Sequence, residues 1–107
     1  MLKSILNLIG LGAKPDYYEL VSNGAIVVDV RTPGEFKSGH IEGSINIPVE
    51  GLRKNEGKLK GKQDTPIITC CASGMRSASA KGILKAKGFK EVHNGGAWMN
   101  LDRKLYK

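Results

Sequence analysis

The chain has 107 residues, which is enough for one domain with a modest hydrophobic core but too few for two. Hydrophobic residues make up 40% of it and charged residues 25%, a composition that excludes disordered, fibrous and collagen-like chains. The 17 Lys and Arg residues outnumber the 10 Asp and Glu residues and give a net charge of +7. Because no aromatic residues are interleaved with the basic ones, as a base-stacking surface requires, we predict no nucleic-acid partner. We interpret the charge first as solvated faces and second as an attraction for small anions.

The cysteines and the N-terminus bear on where the protein works. Cys70 and Cys71, its two cysteines, are neighbours, and a disulfide between neighbours closes a strained ring, so neither is a structural staple. This pattern favours a reducing, cytoplasmic setting. Residues 1–13 form a short apolar segment, well below the roughly 20 residues that span a bilayer, with no convincing signal-peptide cleavage site. We therefore predict no membrane span, and we expect the domain to cover residues 14–107. We also predict a monomer, because the sequence shows no obvious second apolar face.

Helices and strands are predicted to alternate along the chain. Asp16 and Thr32 are typical helix N-caps, and Gly88 is predicted to end a helix so that Phe89 folds back onto Leu84. The predicted helices cover 17–23, a short stretch opening at 32–35, 77–87 and 98–104, and the predicted strands cover 25–30, 44–47, 66–70 and 91–93, with a turn at 95–96.

This alternation predicts the fold class. Strands that alternate with helices imply parallel strands joined by right-handed crossovers. We therefore predict an α/β fold with a small, mostly parallel sheet of four to five strands and helices on both faces. In such folds ligands bind beyond the carboxyl ends of the strands. Asp29 and Cys71 both lie at such ends, which directs attention to the loop that follows Cys70.

The loop after the third predicted strand has the residue types of an anion-binding site. Small residues and Gly74 let backbone N–H groups converge on one point. The helix that begins near Ser77 adds its unpaired N–H groups and the positive end of its dipole. We expect the pKa of a thiol held there, that of Cys71, to fall from about 8.5 towards or below neutrality. Arg76 adds a fixed charge and a planar fork suited to an oxyanion.

Four ordered motifs carry a resemblance to a known family. They are Asp29-Val30-Arg31 with Glu35-Phe36, Gly39-His40-Ile41-Glu42-Gly43-Ser44-Ile45-Asn46-Ile47-Pro48, Cys71-Ala72-Ser73-Gly74-Met75-Arg76-Ser77, and Gly95-Gly96-Ala97-Trp98. They are similar to motifs of the single-domain rhodaneses: Asp-x-Arg-x-x-x-Glu-Phe/Tyr, Gly-His-Ile-x-Gly-Ala-x-Asn-Ile-Pro, Cys-x-x-Gly-x-Arg-Ser, and a closing Gly-Gly with Trp. The match runs from about residue 16 to residue 101, so the resemblance implies a rhodanese-like fold for nearly the whole chain.

The resemblance also implies sulfurtransferase activity that needs no cofactor. Cys71 would be the catalytic residue, taking sulfur from a small anionic donor such as thiosulfate and holding it as a persulfide. A thiophilic acceptor, either a small thiol or a protein, would then remove the terminal sulfur. The residues expected to bind the substrate are those of the loop: Ala72, Ser73, Gly74, Met75, Arg76 and Ser77.

Other interpretations of the same loop stay open. Counted from Cys70, the stretch fits the Cys-x5-Arg-Ser loop of cysteine phosphatases and arsenate reductases. A larger loop cradles a phosphate, whereas the shorter ring from Cys71 to Arg76 suits a single sulfur atom, and this favours Cys71. A non-catalytic rhodanese-like binding module is a further alternative, but an intact Cys71 with Arg76 argues against it. In a sulfur relay, Cys71 would accept sulfur from a partner protein.

Several polar residues receive structural predictions. Asp29 is expected to support the active loop by accepting its backbone N–H groups, or to cap the end of its strand. Arg31 and Glu35 are expected to form an ion pair that fixes the loop after that strand. His40 is expected to make a structural hydrogen bond, and Ser77 to cap the helix that follows the active loop. We predict no metal site, because two histidines and two adjacent cysteines lack the spacing of zinc ligands.

Overall fold

The computed structural model of the protein describes residues 15–54 and 57–106. The helices are α1 (Tyr17–Ser22), α2 (Pro33–Ser38), α3 (Val49–Lys54), α4 (Met75–Ala86) and α5 (Trp98–Leu105), with one 3-10 turn at Gly57–Leu59. The strands are β1 (Ile26–Asp29), β2 (Ile45–Asn46), β3 (Ile67–Cys71) and β4 (Val92–Ala97). The apolar segment predicted over residues 1–13 lies outside the described residues. Among the described residues, no helix is long and apolar enough to cross a membrane.

The four strands form a single parallel sheet. Their order is β2-β1-β3-β4, and each of the three neighbouring pairs is parallel. This confirms the predicted sheet. Every residue of β3 is buried, as expected for an interior strand covered on both faces. Since parallel strands end at the same edge, the ends of β1 and β3 meet, and Asp29 lies opposite Cys70.

Helices cover both faces of this sheet, as predicted. On one face, α3 and α4 pack over a core that contains Ile67 and Cys71. On the other face, α1 and α5 pack over a core that contains Ile68 and Cys70. Successive side chains of a strand point to opposite faces. The two adjacent cysteines therefore lie in different cores.

The predicted starts of the first two helices are confirmed. The Asp16 side chain accepts the backbone N–H of Glu19 at 3.0 Å, which caps α1. At α2, the Thr32 hydroxyl accepts the N–H of Glu35 while the Glu35 carboxylate accepts the N–H of Thr32. This reciprocal pair is a capping box, and Pro33 occupies the first helical position, where a missing N–H costs nothing.

The predicted end of α4 is confirmed as well. Gly88 has a φ of +94°, in the left-handed region that a residue without a Cβ adopts at little cost. The N–H of Phe89 then donates to the carbonyl of Leu84 at 3.1 Å, and the N–H of Gly88 donates to the carbonyl of Lys85. These two bonds define a Schellman motif, so a local signal was sufficient to place the end of this helix.

The turn predicted at Gly95-Gly96 is wrong, because both residues lie inside β4. In the pairing of β3 with β4, Thr69 lies opposite Asn94 and Cys71 opposite Ala97, so β4 has one residue more than β3 between these pairs. That extra residue makes a β-bulge, which a Gly pair favours. The bulge brings β4 close to the loop after β3.

Adding a methyl group to the bulge should destabilise the fold. A Cβ at Gly95 would lie 2.9 Å from side-chain atoms of Ile68 and Leu101 and from the Thr69 carbonyl oxygen, so the sheet would have to shift. We expect Gly95→Ala to lower the free energy of unfolding by about 1–3 kcal/mol, measured by urea titration. The matched control is Gly82→Ala in α4, where a Cβ meets nothing within 4 Å. It should raise the free energy of unfolding by about 0.5–1 kcal/mol, and equal effects of the two substitutions would contradict this description of the bulge.

Candidate active site

The loop from β3 to α4 places the predicted site residues at the carboxyl edge of the sheet. Cys71 is the last residue of β3, and α4 begins four residues later at Met75. Gly74 immediately precedes the helix with a φ of +103°, a conformation that favours glycine. Residues 71–77 therefore curl through a tight arc, and the first turn of α4 faces back towards the Cys71 sulfur.

The Cys71 sulfur accepts hydrogen bonds from the backbone of this arc. The N–H of Gly74 lies 2.9 Å from Sγ, and the N–H of Ser77 lies 3.4 Å from it. Burial raises the pKa of the Cys71 thiol, but hydrogen bonds from Ser77, Gly74 and Ser73 outweigh burial and bring that pKa below its ordinary value. The thiolate is the nucleophilic form of cysteine. The geometry can therefore hold an activated sulfur at the base of the loop.

Cys70 is as fully buried as Cys71, but its pKa is shifted in the opposite direction. Its side chain is fully buried beside Ile68 and Leu101 in the core under α1 and α5. Burial and the nearby charge of Asp29 raise the pKa of Cys70 to about 12. Cys70 is thus a neutral thiol at working pH, which fits a small hydrophobic residue rather than a nucleophile.

A side-chain network beneath the loop fixes Gly74. The Asn94 side-chain amide donates to the Gly74 carbonyl at 3.3 Å, and its oxygen accepts the N–H of Gly96 at 2.9 Å. The Ser77 hydroxyl lies 3.0 Å from the Gly74 carbonyl and also contacts the Asn94 oxygen. The prediction that Ser77 caps α4 is wrong, because the helix begins two residues earlier. Ser77 instead contributes its N–H to Cys71 and its hydroxyl to this network.

Arg76 points its guanidinium at a carboxylate from α2. Its Nη1 and Nη2 atoms lie 2.8 and 3.0 Å from the two carboxylate oxygens of Glu35, a bidentate ion pair. Bonds from Arg76 and from Thr32 lower the pKa of Glu35 to about 2, so this carboxylate is ionised. The predicted ion pair between Arg31 and Glu35 is therefore wrong. Arg31 contacts only the backbone carbonyl of Glu35, at 3.2 Å.

Arg31 instead forms a buried ion pair with Asp29. The Asp29 carboxylate accepts the backbone N–H, Nε and Nη2 of Arg31, at 2.7–3.1 Å. The guanidinium stacks over Trp98, 4.7 Å from the ring centroid, and donates to the Gly39 carbonyl at 2.7 Å. Of the two roles predicted for Asp29, the cap at the end of its strand is confirmed by the N–H of Arg31, whereas the hydrogen bonds of its carboxylate go to Arg31 and not to N–H groups of the active loop. The pair supports the loop after β1, because its hydrogen bonds go to that segment.

The other predicted residues lie around this centre. Ala72 and Ser73 are exposed at the outer side of the loop, and Met75 is exposed by 79%. His40 makes the expected structural contact, since its Nδ1 lies 2.7 Å from the Phe36 carbonyl and its ring stacks on Phe36. Among residues 15–54 and 57–106, no group of His, Cys, Asp and Glu side chains is arranged to hold a metal ion.

Asn94 is the member of the site that sequence reasoning missed. One of its bonds carries a local signal, because Asn side chains commonly accept the N–H two residues ahead, here that of Gly96. The bond to Gly74 joins residues 20 positions apart and has no local signal. It arises only because β4 lies next to β3 in the sheet.

Comparison with known proteins places this architecture in a family. The family described as Rhodanese-like domain matches residues 14–96, which include β1 to β3, the loop 71–77 and most of β4. That match covers well over half of the chain. The chain therefore belongs to the rhodanese-like domain family.

Several relatives within this family are named as sulfurtransferases. The thiosulfate sulfurtransferase GlpE of Ectopseudomonas mendocina is 41% identical over 76 residues, covering 71% of this chain and 68% of the relative. The thiosulfate sulfurtransferase PspE of Escherichia coli is 30% identical over 74 residues, covering 69% of this chain and 71% of the relative. The solved human single-domain sulfurtransferase TSTD1 is 25% identical with a TM-score of 0.67, over 80% of this chain and 91% of that one. At the level of the family, these relatives support a sulfurtransferase.

Removing the Asn94 side chain should weaken both the fold and the ionisation of Cys71. We expect Asn94→Ala to lower the free energy of unfolding by about 1–3 kcal/mol, because the Gly96 N–H loses its partner. The pKa of Cys71 should rise, because Gly74 is then held less firmly. Urea titration and the ultraviolet absorbance of the thiolate measure the two effects.

The control for this variant is Asn100→Ala. Asn100 is exposed on α5, where its side chain accepts from Arg103. Its removal should change the free energy of unfolding by less than about 0.5 kcal/mol and leave the pKa of Cys71 unchanged. Equal changes in both variants would count against a role for Asn94 in positioning the loop.

Proposed function

We propose that the protein is a sulfurtransferase that carries sulfane sulfur as a persulfide on Cys71. The observation that supports this most is the Cys71 sulfur, which accepts the N–H groups of Gly74 and Ser77 and has a lowered pKa. In this proposal residues 14–107 are the functional domain, the donor is a small anion such as thiosulfate, and the acceptor is a small thiol or a protein thiol.

The first half-reaction loads the cysteine. The Cys71 thiolate attacks the outer sulfur of thiosulfate, and a new S–S bond forms while the S–S bond of thiosulfate breaks. Sulfite leaves with the bonding electron pair, and Cys71 holds the outer sulfur as a persulfide. The N–H groups of Gly74 and Ser77 stabilise the Cys71 sulfur as a thiolate before the attack. In this proposal the other N–H groups of the loop stabilise the terminal sulfur of the persulfide, as in an oxyanion hole.

The second half-reaction unloads the cysteine. A thiophilic acceptor, a thiolate or cyanide, attacks the terminal sulfur of the persulfide and forms a bond to it. The bond between that sulfur and Cys71 breaks, and Cys71 leaves with the electron pair as a thiolate. The N–H groups of Gly74 and Ser77 stabilise this leaving thiolate, so the site returns to its starting state.

The environment of Cys70 supports Cys71 as the carrier. Both cysteines are fully buried, so the form of the thiol and not its exposure distinguishes them, and a phosphatase that used Cys70 would need a thiolate there. Cys70 is buried on the opposite face of β3 and its pKa is raised to about 12, so its thiolate is scarce. Ser77, which donates to Cys71, gives Cys70 no such help.

Intact-protein mass spectrometry after incubation with thiosulfate tests the proposal. We expect a gain of about 32 Da, the mass of one bound sulfur atom, on the wild type. Cys71→Ala should abolish the gain. Cys70→Ala is the matched control, which removes the adjacent thiol and should keep the gain. An adduct that depends on Cys70, or no adduct on the wild type, would overturn the assignment.

A further inference from the structure

Arg76 is the only cation of the loop 71–77, and it is already paired. Both of its terminal nitrogens contact the Glu35 carboxylate, at 2.8 and 3.0 Å. The partner comes from α2, 41 positions earlier in the sequence. An anion that needed the guanidinium of Arg76 would have to compete with this carboxylate.

Glu35 is held in place by more than Arg76. Its Oε1 atom also accepts the backbone N–H of Thr32 at 3.0 Å and the Thr32 hydroxyl at 3.1 Å. These bonds belong to the capping box that starts α2. Releasing Glu35 from the site would therefore also disturb the start of a helix, so the pair with Arg76 is a fixed part of the site.

The pair determines the charge that an incoming donor meets. A Cys71 thiolate and the Glu35 carboxylate are negative and Arg76 is positive, which leaves one net negative charge. The nearby guanidinium of Arg31 adds no free charge, because it is paired with Asp29 at 2.7 Å. The Arg76–Glu35 pair is partly open to solvent, with 36% of each side chain exposed, so a bound anion and Glu35 interact through partly screened space.

We propose that Glu35 sets the charge selectivity of the site, disfavouring dianionic sulfur donors such as thiosulfate relative to monoanionic donors that present the same sulfane sulfur. This rests on the proposed sulfur transfer to Cys71. Glu35 is a positioning residue in this account, because it acts through Arg76 and through its own charge and does not touch the reacting sulfur.

Two donors of nearly equal shape but different charge distinguish an effect of donor charge from an effect on the sulfur-transfer reaction itself. Thiosulfate and methanethiosulfonate both present an outer sulfur on a sulfonyl group, but a methyl group replaces one anionic oxygen in the second. The Cys71 thiolate attacks the outer sulfur of either donor, and sulfite or methanesulfinate leaves with the electron pair. The loading rate of Cys71, followed by mass spectrometry against donor concentration, gives a half-saturating concentration and a maximal rate for each donor.

Glu35→Gln removes the charge and keeps an acceptor for Thr32. We expect the half-saturating concentration of thiosulfate to fall about three- to tenfold, with a much smaller change for methanethiosulfonate and little change in the maximal rates. High salt should reduce the difference between the donors. Glu91→Gln is the control for net charge, because Glu91 immediately precedes β4 and thus lies at the opposite edge of the sheet. This control should leave the ratio of the half-saturating concentrations of the two donors unchanged.

A second variant covers the case in which Glu35→Gln loosens α2. Arg76→Gln leaves Glu35 without its counter-charge, so discrimination against thiosulfate should increase. The deciding quantity is the ratio of the half-saturating concentrations of thiosulfate and methanethiosulfonate. If this ratio stays the same in both variants, or changes equally in Glu91→Gln, the selectivity role is overturned while Cys71 remains the carrier. Failure of both donors to load wild-type Cys71 would overturn the sulfur transfer itself, and the selectivity with it.

Discussion

The Cys71 sulfur lies where β3 stops and α4 begins, and it accepts the N–H groups of Gly74 and Ser77 at 2.9 and 3.4 Å. The N–H of Gly74, three residues after Cys71, reaches this sulfur because the chain reverses its direction between the two residues. Gly74 allows this reversal with a φ of +103°. A Cβ at Gly74 would lie 3.4 Å from the Cα of Gly96, so the bulge in β4 and the loop after β3 are packed together. The position of the two N–H groups that contact the Cys71 sulfur thus depends on the packing of the loop against β4.

Charge in the site is compensated in pairs. Arg31 is paired with Asp29 and Arg76 with Glu35, so the positive charge of each guanidinium is neutralised by a carboxylate. The buried pair anchors the segment after β1, and the more exposed pair joins α2 to the start of α4. Backbone N–H groups, which carry no net charge, are left to stabilise the sulfur. In the proposed function, this arrangement would favour a monoanionic sulfur donor over a dianionic one.

Local signals predicted the fold well, and long-range contacts accounted for the errors. Asp16, Thr32 and Gly88 each acted through bonds to residues at most five positions away, so their roles could be predicted from the sequence. Glu35 could not be paired correctly, because its partner Arg76 is 41 positions away and meets it only once β1 and β3 lie side by side. The bulge was mistaken for a turn for the same reason, since a Gly pair favours either and the partner strand decides.

The most direct test of the central claim is an NMR pH titration that follows the backbone amides of Gly74 and Ser77. If these groups stabilise the Cys71 thiolate, their signals should shift together with a midpoint below the ordinary thiol pKa of about 8.5. The shift should disappear in Cys71→Ala and persist in Cys70→Ala. Amide signals that do not respond, or that respond only at or above the ordinary thiol pKa, would contradict the account.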